Sequence, residues 1–380
     1  MKLTTKTAGA MTLTLLATLT LAACSTDEST TASTSSPEAV TDEARQALQT
    51  AYEGIGADLV LDPVTAKEDV NLYVVSCGES TPGCSTPAAG VAEAARAIGW
   101  DATIADGKLS PEGFATAIRQ AIAGGADVVV PIGINCGVAQ AAFKEAADAG
   151  ITVIGGGGVD DCDPQLWGAA RLWVDGYTPE QQWRAFGKLQ ADYLYGKTGG
   201  DVKAVVLNAT GQPWGAWITE GFNDELVALG GGEVLETINV SDPEQADGSY
   251  VQKVSTALLN NPDANALVVP IDGWLVTGLA QAIVQAGKDP DLLVVSRGGD
   301  AAVLDMIRAG SAGVDATVGF ATQWGSWGSV DTAARVLAGQ KPVSIGEPMQ
   351  AIDADNNMVA SGDYMGGADF KNIFKTAWGK

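Results

Sequence analysis

Ser110-Pro111-Glu112-Gly113-Phe114-Ala115-Thr116-Ala117-Ile118-Arg119-Gln120-Ala121-Ile122-Ala123-Gly124-Gly125-Ala126-Asp127-Val128-Val129-Val130-Pro131 carries two periods in one run. Phe114, Ile118 and Ile122 recur every four residues behind a Ser-Pro start, which predicts a helix over 111–123 that Gly124-Gly125 ends. The β-branched run behind the glycines predicts a buried strand over 126–132. A helix feeding a short strand that is apolar on both faces is the unit of a parallel sheet covered by helices on both sides.

The same unit repeats in both directions. Upstream, 70–75 reads as a strand, 87–98 as an alanine-rich helix and 102–104 as a strand; downstream, 138–149 reads as a helix and 152–154 as a strand running into Gly155-Gly156-Gly157-Gly158. A second series follows, with helices predicted over 179–195, 214–229, 244–260, 274–286, 302–309 and 326–338. Its strands are predicted over 202–207, 233–240, 266–271, 292–296 and 316–320. From about residue 66 onward the chain is longer than one core usually carries. The expected fold is therefore α/β in two similar lobes, each a parallel sheet flanked by helices.

The ends and the composition narrow the function. Lys2 and Lys6 precede an uncharged stretch and Ala22-Ala23-Cys24, the layout of a secretory signal over 1–23. Leu21-Ala22-Ala23-Cys24 resembles the lipobox of bacterial lipoproteins, which implies lipidation of Cys24 and anchoring to the outer face of the cytoplasmic membrane. Residues 25–38 hold no large apolar side chain, so the stretch 24–65 is expected to be mainly a Ser/Thr-rich tether with a short helix. Twenty-two cationic against 46 acidic residues leave a net charge of −24, which opposes nucleic acid. The chain has no histidine, which removes His-based catalytic triads and the common His-bearing zinc sites. Asp160 and Asp161 are adjacent on one loop and do not form the opposed pair that a glycosidase needs. No lysine follows the four glycines as a phosphate loop requires. No enzyme activity, cofactor or metal is expected.

Cys77, Cys84, Cys136 and Cys162 remain after Cys24. Four cysteines in an exported chain suggest two disulfides with three possible pairings, and Cys77 with Cys84 and Cys136 with Cys162 is the pairing expected.

The quoted run, continued by Ala146-Ala147-Asp148-Ala149-Gly150-Ile151-Thr152-Val153-Ile154, resembles the type I periplasmic binding proteins, the sugar-binding, ribose-binding-protein-like branch served by ABC importers. Glu220-Gly221-Phe222, Val294-Val295-Ser296-Arg297-Gly298-Gly299-Asp300 and Ala334-Arg335-Val336-Leu337-Ala338-Gly339 agree with it. The resemblance implies three crossings between lobes, the first lobe comprising 66–175 with 321–349 and the second 176–320 with 350–380. It also implies closure about a small ligand, delivery to an importer permease, and a monomer. Where that family commonly carries an Asp-Arg pair after the fourth strand, this chain has Gly157 and Gly158.

Ligands of open parallel sheets bind at the carboxyl ends of the strands. Those ends offer Glu79 and Asn135, then Asp160, in the first lobe. The second offers Asn208, Trp214, Asp272, Trp274 and Asp300, with Gln323 and Trp324 past its last strand. The resemblance matches Asp300 to a ligand-binding aspartate and Gln323 to a polar contact at a crossing. Tryptophan faces beside carboxylates and amides suit a sugar or polyol, whose C–H side is apolar and whose hydroxyls need acceptors. The same groups would also cage a small cation or signalling molecule.

Overall fold

The computed structural model describes residues 37–287 and 292–380; the stretch 1–23 expected to direct export, and Cys24, lie outside the described residues. The strands are β1 (Asn71–Ser76), β2 (Asp101–Asp106), β3 (Val128–Pro131), β4 (Thr152–Gly155), β5 (Ala169–Ala170), β6 (Lys203–Ala209), β7 (Glu233–Val240), β8 (Ala266–Val268), β9 (Leu293–Gly298), β10 (Ala316–Phe320) and β11 (Met349–Asp353). They form two sheets, ordered β2-β1-β3-β4-β5 and β11-β10-β9-β8-β6-β7. Among the described residues, all pairings between these strands are parallel except β10 with β11, which is antiparallel.

Local chemistry starts two helices where the sequence indicates, whereas those predicted from 87 and 326 begin earlier, at Pro82 and Thr322. Ser110 accepts from the Gly113 N–H at 3.1 Å ahead of the helix Pro111–Ala123, and Thr178 and Gln181 form a reciprocal capping box at the start of Pro179–Thr198. The helix predicted over 244–260 is two helices, Asp242–Asp247 and Tyr250–Asn260, because Gly248 adopts a left-handed conformation between them.

Each sheet has an apolar cluster on either face. In the first lobe Leu72, Val74, Val128 and Val130 pack toward the helices Pro82–Ile98 and Thr322–Leu337, while Val75, Val129 and Val153 pack toward Pro111–Ala123 and Gln140–Asp148. The second lobe alternates in the same way: Ala204, Val206 and Val295 face Pro179–Thr198, while Val205 and Val294 face Tyr250–Asn260.

The chain passes between the two sheets at 171–178, 320–322 and 344–349. These segments are tied together: the Ile345 N–H donates to Leu172 O at 3.1 Å, Gly346 N–H to Trp173 O at 2.8 Å, and the Trp173 indole to Glu347 O at 2.6 Å. The stretch 37–65 is not tether, which corrects that part of the expected boundary. Its helix, Pro37–Glu53, docks on the second lobe through Ala44, Ala47 and Ala51, and Tyr52 donates to Asp353 at 2.6 Å. From there 54–64 runs to the first lobe, where Leu59 and Val64 are buried.

The C-terminal stretch corrects the lobe assignment of 350–380. β11 belongs to the second sheet, but the helix Phe370–Ala377 returns to the first lobe's core. Trp378 stacks on Trp327 with ring centroids 5.5 Å apart and donates to Asp331 at 2.9 Å. The physical reason is the apolar face of Phe370, Phe374 and Trp378, which finds cover against Trp327.

Candidate ligand-binding cleft

β5 and β10 deliver the chain from their carboxyl ends straight into crossings, so the carboxyl edges of both sheets border the crossing segments. The disulfides brace the first lobe's edge. Cys77 is bonded to Cys84 with Cα atoms 5.3 Å apart, and Cys136 to Cys162 at 5.6 Å, the pairing expected.

Several residues expected at the ligand are committed to the scaffold instead. Asp272 is fully buried and accepts four hydrogen bonds: from the Ser296 and Thr317 hydroxyls and from the Gly299 and Asp300 N–H groups, the last two at 2.7 and 2.9 Å. It shapes the turn that follows β9 and has no lone pair left over for a ligand. Trp274 is buried against Tyr250, with centroids 4.9 Å apart. Trp324 is buried on Phe370 and its indole donates to Ile345 O at 2.8 Å. Asn135 accepts from Val159 N–H at 3.0 Å, and Asp160 accepts from Leu166 and Trp167 N–H at 2.8 Å each. These polar groups hold loops whose backbone the sheet leaves unpaired. Gln323 turns its Oε1 toward Gly90 in the helix Pro82–Ile98, without a donor among the described residues. Glu79 is exposed on the rim.

Asn208, Trp214 and Asp300, together with the unpartnered Oε1 of Gln323, remain available. Asn208 donates through Nδ2 to Asn239 Oδ1 at 2.8 Å, lines a concavity of about 420 Å³ with Thr210, Gln212 and Ala216, and its Oδ1 has no donor among the described residues. Asp300 opens the helix Ala301–Arg308 without capping it, so its carboxylate is uncommitted. Burial, then the charge of Asp272, pushes the Asp300 carboxyl up to about 7 against the pull of Arg297.

Trp214 belongs to an aromatic box that sequence reading did not assemble. Its ring stacks on Trp183 at 5.4 Å, and the Arg297 guanidinium lies 5.1 Å from Trp183, 5.0 Å from Phe186, 5.6 Å from Trp214 and 5.7 Å from Phe320. Trp183 and Phe186 are three apart on one helix, a spacing that puts them on one face; nothing in the sequence links that face to Phe320. The box that would cage a foreign cation is filled by the chain's own.

Opposite chemistry marks the exit of β4. A Cβ at Gly158 would collide with Ile134 O, and Gly157 takes a φ of +110° that side chains rarely adopt, so the Asp-Arg pair of the resembling family is not accommodated here. Beneath the cleft, Glu347 is fully buried with its carboxylate 3.5 Å from the Arg171 guanidinium. Burial pushes the Glu347 carboxyl up to about 7, against Arg171. A second concavity, of about 320 Å³, is lined by Arg184 and Lys188, both paired with carboxylates.

The periplasmic binding protein domain family matches residues 72–341. The chain belongs to that family. No curated protein sequence matches it. Among solved structures, the 5-methylthioribose transporter solute-binding protein of Thermotoga lettingae is 20% identical, with a TM-score of 0.65, covering 83% of this chain and 99% of its own. A solute-binding protein of Actinobacillus succinogenes with bound D-allose is 17% identical at TM-score 0.63, covering 76% and 98%. One from Agrobacterium vitis with bound allitol is 17% identical at 0.62, covering 76% and 96%. At these identities the likeness establishes the two-lobed α/β fold. Among the described residues no helix is long and apolar enough to cross a membrane.

Proposed function

We propose that this protein is the extracytoplasmic receptor of an ABC importer, capturing a small carbohydrate, a monosaccharide or sugar alcohol, between its lobes and delivering it to the permease. The observation that carries the reading is the grouping of Trp214, Phe320, Arg297 and Asp300 at one carboxyl edge: flat apolar faces beside a donor and an acceptor. Similar folds holding D-allose and allitol support it. Closure about the three central crossings would bring the bare Gly156–Gly158 backbone against the ligand's other side. Export and a lipid on Cys24 keep the receptor at the outer face of the cytoplasmic membrane, where it acts as a monomer.

The test is a thermal-shift screen of the full chain against sugars, polyols, amino acids and quaternary amines. A ligand at 100 times its Kd adds about 2.7 kcal/mol to the folded state. A shift with sugars or polyols supports the reading; a shift with cations alone refutes it.

A further inference from the structure

We propose that Arg297 sets the specificity of this cleft and that the ligand is a sugar acid or polyol acid, its carboxylate held by the two Nη groups of Arg297. The inference rests on the carbohydrate reading above and narrows it.

Arg297 has five N–H donors, and only Nε is used, donating to Pro270 O at 2.9 Å. The Nη groups have no partner among the described residues. Every other described arginine except the exposed Arg96 has a carboxylate partner. In a chain of net charge −24 an unpaired guanidinium is conspicuous. Asp272, the fully buried acid at this turn, has its lone pairs committed to four other donors. Asp300 makes no ion pair with Arg297, although it follows three residues later.

The box surrounds Arg297 at the carboxyl end of β9 without giving its Nη groups a partner. Trp183 and Phe186 lie in the first turns of the helix that leaves the 171–178 crossing, Trp214 in the first turn after β6, and Phe320 at the end of β10, where the 320–322 crossing begins. Four rings strip water from the guanidinium and hold its plane, while Arg297 itself stays half-buried at the carboxyl end of β9. A poorly hydrated, pre-oriented fork favours a bidentate carboxylate. Asp272 and Asp300 already act on Arg297, so the site has little spare positive charge, and a single carboxylate gripped by direct hydrogen bonds is tolerated there better than a doubly charged phosphate.

The test is isothermal titration of the full chain with matched pairs: galacturonate with galactose, gluconate with sorbitol, ribonate with ribitol, and galactose 6-phosphate as the dianion. The acid of one pair is expected to bind about 100-fold tighter than its neutral partner. Arg297→Gln should remove that preference, and Arg297→Lys should retain part of it; circular dichroism establishes that each variant folds, and the lysine variant stands alone should the glutamine variant not fold. Equal or tighter binding of neutral sugars, unchanged in both variants, overturns the inference and leaves the carbohydrate reading intact. Preference for galactose 6-phosphate overturns the single-charge assignment. Absence of binding by every compound overturns both readings.

Discussion

Glu347→Gln should make this protein more stable at pH 8 and change it by less than about 1 kcal/mol at pH 5. The Glu347 carboxyl is fully buried and held up to about 7 by that burial, against the opposing charge of Arg171, whereas its ordinary value is 4.5. Between those two values the folded chain keeps a proton that the unfolded chain has released. Stability therefore falls as pH rises through this window, by about 1.4 kcal/mol per pH unit, and levels off above about 7. The whole loss is roughly 3 kcal/mol. Glutamine has nearly the shape of the protonated acid and carries no proton to lose, so the variant lacks this slope. For a folded region of this size the difference corresponds to roughly 4 °C in Tm at pH 8. Asp192 and Asp300, also held up to about 7, titrate in both proteins and cancel in the comparison. Melting curves of the two proteins at half-unit steps from pH 5 to pH 8 measure the effect. Parallel curves across that range would refute the reasoning, because a carboxyl ionising at its ordinary value gives no difference here.

Four other variants probe the scaffold. Asp272→Ala should cost about 3–5 kcal/mol by unpairing four buried donors, seen as a lower Tm whether or not ligand is present; an effect confined to ligand affinity would return Asp272 to the binding site. Trp378→Ala removes a stacked ring and the donor to Asp331, and a loss of about 3–5 kcal/mol in chemical denaturation is expected. Breaking Cys136–Cys162 by paired serine substitution should cost about 3.5 kcal/mol and breaking Cys77–Cys84 about 2.5, because the first closes the longer loop; urea titration ranks the two.

The repeating βα pattern was legible because every unit buries its own strand between its own neighbours. Phe114, Ile118 and Ile122 mark a helix wherever they stand, and the helix begins and ends within the residues that the sequence indicates. The site was legible only as a set of strand ends. Asp272, Trp274 and Trp324 follow strands as ligand residues do, yet they face inward, and the turn that decides this is shaped by partners from distant segments. Arg297 stood in plain view at the end of a strand, but its environment comes from the helices holding Trp183 and Trp214 and from the end of β10.

By itself the sequence determined what is local or compositional: the alternation of helices and strands, the acidic charge and the absence of histidine. Tertiary structure alone decided which polar groups are spent on the scaffold and which remain for a ligand. It also decided that the C-terminal helix belongs to the first lobe. Local periodicity is a property of neighbours in the chain, whereas burial and hydrogen-bond partnership depend on residues far away in it, such as Trp327 for Trp378 and Thr317 for Asp272.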